Sequence, residues 1–164
     1  MWRRRVRPRA GQESVWDYPR PPRVEPASKP ISVMHNGVEL ARSERALRVL
    51  EKASPPTFYI PRDDVVMKYL HATTGHTVCE FKGVASYFDL EVNSRVASRV
   101  AWTYEDPKEG FEQLRGCISF YASRVDAAHV GDEKVTPQAG DFYGGWITAD
   151  VVGPFKGEPG TLGW

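Results

Sequence analysis

A chain of 164 residues with 41% hydrophobic and 12% aromatic content is long enough for one domain with a real core. Its net charge of +1 excludes the broad basic footprint of a nucleic-acid-binding domain, and no window approaches the apolar length that spans a bilayer. Two cysteines, Cys79 and Cys117, suit a reducing compartment and form no disulfide framework, so the expected location is cytoplasmic.

In chain order the sequence divides into three parts. Residues 1–12 carry Arg3, Arg4, Arg5, Arg7 and Arg9 without the apolar run of a signal peptide. They read as a disordered basic terminus, with RNA or an anionic surface as the sharper alternative. Residues 13–30 hold Pro19, Pro21, Pro22, Pro26 and Pro30, a spacing that favours an extended, polyproline-like arm. Trp16 and Tyr18 on that arm either strap it to the domain or complete a binding site, in the same chain or on a partner subunit.

Residues 31–164 read as a single β domain. ISVMHNGVELAR predicts a hairpin turning at Asn36-Gly37. SERALRVLE is ambiguous between a short helix and a bent strand, and TFYI is a strand. Pro61 opens a helical turn with Asp63 and Asp64 near its start. HTVCEFKG, VASYFDLEV and RVASRVAWTY read as successive strands, the last pair reversing at Asn93-Ser94. PKEGFEQLRG is a turn or short helix. CISFYASRV, AAHVGDEKV and FYGGWITADVV complete an all-β pattern with turns every 8–12 residues.

The last quarter is the most informative stretch. Between Gly140 and Trp164 lie seven glycines and five aromatics, including Phe142, Tyr143 and Trp146 around Gly144-Gly145. Glycine inside a strand pattern marks a bulge or a close backbone approach, and aromatics beside it form walls. The segment therefore predicts a strand that closes a pocket. Phe155-Lys156-Gly157 repeats the tripeptide Phe81-Lys82-Gly83, an echo read here as coincidence.

No Walker loop, dinucleotide fingerprint, HExxH or G-x-S-x-G motif is present. His71, His76 and Cys79 are the only local cluster of metal-type ligands, and their spacing along a strand scatters them, so no metal or cofactor is expected. The densest chemical cluster is CEFKGVASYF. Cys79 reads either as a small buried hydrophobe or as a nucleophile helped by a nearby cation. Lys82 reads either as a surface lysine or as an anion or carbonyl partner, and a bend at Gly83 would turn it to the side of Cys79.

Taken together, ESVWDYPRPPRVEP, PPTFYIPRDDV, CEFKGVASYF, AWTYEDP and FYGGWITADVVGPFKGEPG resemble the bacterial family known as domain of unknown function 427, over residues 13–164. The family's Cys-x-x-Lys-Gly core matches Cys79, Lys82 and Gly83, with Tyr87 following. Its Trp-x-Tyr matches Trp102 and Tyr104, and its aromatic-Gly-Gly-Trp close matches Tyr143, Gly144, Gly145 and Trp146. Tyr59, Pro61, Asp64 and Val65 match its Tyr-x-Pro-x-x-Asp-Val. The resemblance implies a single β-tent-like domain of antiparallel sheets with one or two short helical turns. That architecture is shared with zinc-carrying modules such as methionine-sulfoxide reductase B and the imide-binding domain of cereblon. This chain lacks their paired CxxC ligands, so neither the zinc nor their activities carry over.

Two readings of function follow. The first is a small-molecule pocket, with room for catalysis, lined by Tyr59, Tyr87, Trp102, Tyr143 and Trp146, with Cys79 and Lys82 as its catalytic or polar groups. The second is a protein-interaction module that uses the Pro-rich arm or a sheet edge. A deep cavity holding Lys82 and Cys79 favours the first; a buried Cys79 beneath a shallow aromatic surface favours the second. The expected partner is a small molecule, with no specific nucleic acid and no membrane span, and a homodimer is compatible with the sequence.

Overall fold

The computed structural model describes residues 4–161 and 163–164. The expectation of disorder for residues 1–3 therefore lies outside the described residues. The architecture is all-β, built from open sheets, none of which closes into a barrel. Leu70–Cys79, Gly83–Val92, Arg95–Thr103 and Ser119–Phe120 form an antiparallel sheet in chain order. Val38–Ser43, Ile31–His35, Ala127–Val130 and Glu133–Lys134 form a second. Arg23–Pro26, Leu47–Leu50 and Thr57–Tyr59 form a third. Two short ribbons complete the set: Glu13–Ser14 runs parallel to Val151–Val152, and Thr136–Pro137 antiparallel to Trp146–Ile147.

The turn chemistry behaves as the sequence reads. Asn36 and Gly37 both take positive φ between the first hairpin's strands, and so do Asn93 and Ser94 in the later one. Pro61 precedes a single 3-10 turn at Arg62–Asp64. Such three-residue turns number five among the described residues rather than one or two. The ambiguous SERALRVLE resolves as the strand Leu47–Leu50, because partners on both edges supply its backbone hydrogen bonds. FYGGWITADVV is extended only at Trp146–Ile147 and Val151–Val152; residues 140–145 form a loop. No helix among the described residues is long and apolar enough to cross a membrane.

Successive side chains of a strand point to opposite faces. In the Gly83–Val92 and Arg95–Thr103 pair, Phe88 sits opposite Ala101 and Tyr87 opposite Trp102. Phe88 and Ala101 enter a large apolar core shared with Ile31, Val33, Leu40 and Val130 of the second sheet. Tyr87 and Trp102 face the other way, into a second cluster with Val49 and Tyr59 of the third sheet. Phe58-Tyr59 and Phe120-Tyr121 divide the same way, phenylalanine into the apolar core and tyrosine into the second cluster. Both faces of this sheet are thus buried near one end, one apolar and one rich in hydroxyls.

The arm lies along the domain. Val15 and Tyr18 pack with Leu50 and Val151 in a third cluster. The Trp16 indole donates to the carbonyl of Pro154 at 2.9 Å and meets Trp164 edge-on at 4.9 Å. Nearer the start, Val6 N–H donates to Gly153 O at 2.9 Å and the Arg5 guanidinium lies 4.7 Å from the Trp16 ring centre. Truncating a buried aromatic costs roughly 3–5 kcal/mol. We therefore expect Tyr18→Ala to lower stability by about 3 kcal/mol in urea unfolding, in one transition that includes the arm. A loss below about 1 kcal/mol would show the arm to be a loose attachment.

Candidate functional site

The second cluster is incompletely filled. Between the third sheet and the sheet of Leu70–Cys79, Gly83–Val92 and Arg95–Thr103 lies a cavity of about 210 Å³, with the loops at Phe142–Gly144 and Lys156 forming much of the rest of its wall. Six residues singled out in the sequence meet there: Tyr59, Cys79, Lys82, Tyr87, Trp102 and Tyr143. The seventh, Trp146, does not. It is 1% exposed, stacks on Phe58 with ring centres 5.0 Å apart, and donates its indole N–H to Phe120 O at 3.0 Å. Trp146 belongs to the apolar core, and its backbone N–H donates to Pro56 O at 2.8 Å.

A turn, not a strand, brings Cys79 and Lys82 together. The strand ends at Cys79, which pairs with Gly83, leaving Glu80, Phe81 and Lys82 as the connection. Gly83 takes φ +116°, a conformation that side-chain-bearing residues rarely adopt. Lys108 fixes the turn from outside: its backbone N–H donates to Lys82 O at 2.9 Å and its ammonium to Glu80 O at 2.8 Å. The expected bend thus occurs, and it places the thiol and the ammonium on one cavity wall.

The close approach signalled by the double glycine is also present. A Cβ on Gly144 would lie 2.1 Å from Cη2 of Trp102, and one on Gly145 would lie 2.6 Å from Pro55. The bare backbone of this loop therefore rests on the Trp102 ring. Gln138 holds it there. Its Oε1 accepts from Gly145 N–H at 3.0 Å, and its Nε2 donates to Lys156 O at 2.7 Å, so one buried amide ties both closing loops together. Lys156 N–H donates to Ala53 O at 2.7 Å, and its ammonium lies 5.5 Å from the Tyr143 ring centre.

Inside, the hydroxyls are mutually engaged. Trp102 Nε1 donates to Tyr59 OH at 3.2 Å, Thr77 and Tyr87 share a hydrogen bond of 2.7 Å, and Tyr121 OH donates to Phe142 O at 3.2 Å. Trp102 and Tyr121 have ring centres 4.6 Å apart. Burial pushes the Tyr104 phenol well above the usual range, and its neighbours Tyr59, Cys79 and Tyr87 push the same way. Burial, then Tyr87, does the same at Tyr121. Both phenols are therefore neutral hydrogen-bond donors. At Lys82 burial disfavours the charged form, yet Tyr59, Cys79 and Glu51 together outweigh it and the pKa ends above the ordinary lysine value.

Sequence reading missed Tyr104, Tyr121, Gln138, Glu51 and Lys156 as lining residues. Tyr104 shares strand parity with Trp102, and Tyr121 follows Phe120 as Tyr59 follows Phe58, so both had a signal. Lys156 had one too: the two Phe-Lys-Gly tripeptides deliver their lysines to one cavity. Glu51 and Gln138 had none. His71 and His76 lie exposed on the Leu70–Cys79 strand, near Glu91 and Ser86 respectively. Among the described residues no three His, Cys, Asp or Glu side chains gather as a metal site.

The two thiols differ in setting. Cys79 is half-buried on the cavity wall beside Lys82. Cys117 is 7% exposed, its thiol sits 3.7 Å from Gln113 O, and burial pushes its pKa up. Thiolate is the reactive form. We expect iodoacetamide at neutral pH to label Cys79 at least roughly tenfold faster than Cys117, by peptide mass spectrometry, and Lys82→Met to slow Cys79 selectively. Equal rates, or faster labelling of Cys117, would contradict the assignment.

Comparison with known proteins supports the likeness read from the motifs. The family model described as Domain of unknown function (DUF427) matches residues 23–131, which include Tyr59, Cys79, Lys82, Tyr87, Trp102 and Tyr104. The match stops before the Tyr143–Gly144 loop and Lys156, which close the cavity here. No curated protein matches the chain. The chain belongs to the DUF427 family.

Proposed function

We propose that this domain binds a small molecule in the tyrosine-lined cavity, with Lys82 and Cys79 as its main polar contacts. The observation that carries this reading is the gathering of Tyr59, Cys79, Lys82, Tyr87, Trp102 and Tyr143 around one concave space. Ligand sites have this form: mostly apolar or aromatic walls with a few convergent polar groups. At about 210 Å³ the cavity is smaller than the roughly 300–1,000 Å³ of drug-sized sites, so the ligand is the size of a single ring with one substituent. Cys79 adds a thiol of nucleophilic type beside a cation, the arrangement a covalent step on such a ligand would use.

The alternative of a protein-interaction module is less well supported. The arm's Arg23–Pro26 backbone already pairs with Leu47–Leu50, and the Trp16 indole already has its acceptor. Two of the groups that the arm would offer a partner are thus used within the chain, whereas the outer edges of Arg23–Pro26 and Leu70–Cys79 are where a sheet-edge partner would add.

The Trp102 indole N–H, donated to Tyr59 inside the cavity, is a built-in reporter. In a titration with a library of single-ring fragments followed by nitrogen-15 NMR, we expect saturable hits that shift the Trp102 indole resonance and leave that of Trp146 in place. Fragments that bind elsewhere, with Trp102 unmoved throughout, would contradict the reading.

A further inference from the structure

The charges around the cavity are unbalanced. Its lining carries two lysines, Lys82 and Lys156, against one carboxylate, Glu51. Glu51 also pairs with Arg20, 3.5 Å away. Among the described residues no carboxylate lies within ion-pair distance of either lysine. Two further cations stand behind the tyrosine wall. The Arg99 guanidinium lies 4.3 Å from the Tyr87 ring centre and that of Arg124 4.1 Å from Tyr121. Neither arginine lines the cavity, so each adds positive potential rather than a contact.

We propose that the cavity selects a single-ring organic acid bearing one negative charge, its carboxylate held by Lys82 and Lys156 and its ring against the wall of Trp102 and Tyr121. This rests on the cavity being a ligand site, as proposed above. Glu51 is already paired with Arg20, so the two lysines leave the lining positively charged, and a ligand carboxylate between them would offset that charge. Charge-assisted hydrogen bonds from ammonium to carboxylate are roughly twice as strong as neutral ones. An ammonium at Lys82 offers donors only, and the neutral phenol of Tyr104 can donate as well as accept. A phosphate ester suits the site less well. It would bring a second negative charge to a lining that contains no arginine fork. An organic cation suits it least. Aromatic walls attract ammonium groups, but two lysines in the same small space repel them.

Three probes of matched shape separate these cases: benzoate, benzamide and benzylamine. Their affinities would be measured by calorimetry at neutral pH, with the Trp102 indole followed in parallel. We expect benzoate to bind roughly tenfold or more tightly than benzamide, and benzylamine weakest of the three. Lys82→Met and Lys156→Met should each weaken benzoate roughly fivefold or more while leaving benzamide within about twofold, and Glu51→Gln should tighten benzoate. If Lys82→Met does not fold, Lys156→Met and Glu51→Gln carry the same test. Benzamide or benzylamine binding as tightly as benzoate would overturn the charge selection while the cavity remained a ligand site. If none of the three binds while other fragments move the Trp102 indole, this inference falls alone. If no fragment of any charge moves it, both readings fall.

Discussion

The two-residue period of the β-strand is the constraint from which the rest of this structure follows. Three aromatic dipeptides, Phe58-Tyr59, Tyr87-Phe88 and Phe120-Tyr121, lie on three different strands or strand ends. Each sends its phenylalanine into the dry core and its tyrosine into the cavity cluster. The division is chemically consistent: phenylalanine leaves nothing to hydrogen-bond, whereas a tyrosine hydroxyl needs a partner when buried. The sheet's two faces therefore become two environments, a close-packed core that holds the fold and a hydroxyl-lined space that stays partly open.

That open space exists because the groups around it are held back from collapsing into it. Trp102 is fixed by its bond to Tyr59 on one side and by the bare backbone of Gly144 on the other. The Gln138 amide locks the Gly145 and Lys156 loops to each other. Lys108 locks the turn that carries Lys82. Groups held by packing and by second hydrogen bonds are preorganised, so a ligand meets them without first having to order them.

Much of this was legible in the sequence. Alternation and turn dipeptides gave the all-β class and most strand positions. The Gly144-Gly145 pair announced a close approach, and the glycine after Lys82 announced the bend that joins it to Cys79. What was not legible depended on distant partners. Leu47–Leu50 is a strand because two other strands flank it, and no local propensity says so. The 140–145 segment looked like a strand, yet it serves as a loop whose value is its missing side chains. Trp146 looked like a pocket wall because it follows that loop, but its indole found Phe120 O in the core instead. Lys156 was overlooked because a shared tripeptide seventy-odd residues away carries no meaning until the fold brings both copies to one place.

The split between a dry and a hydroxylated face is tested most directly at Phe120-Tyr121, where neighbouring residues carry opposite roles. The measurement is urea unfolding of Phe120→Tyr and Tyr121→Phe beside the native chain. Phe120 is fully buried in the apolar core, so a hydroxyl there lacks both room and a partner, and we expect a loss of roughly 2–4 kcal/mol. Tyr121→Phe removes one hydrogen bond at the cavity wall and should cost about 1 kcal/mol or less. Equal costs, or a larger loss for Tyr121→Phe, would contradict the account, because the two faces would then not differ in the way the alternation requires.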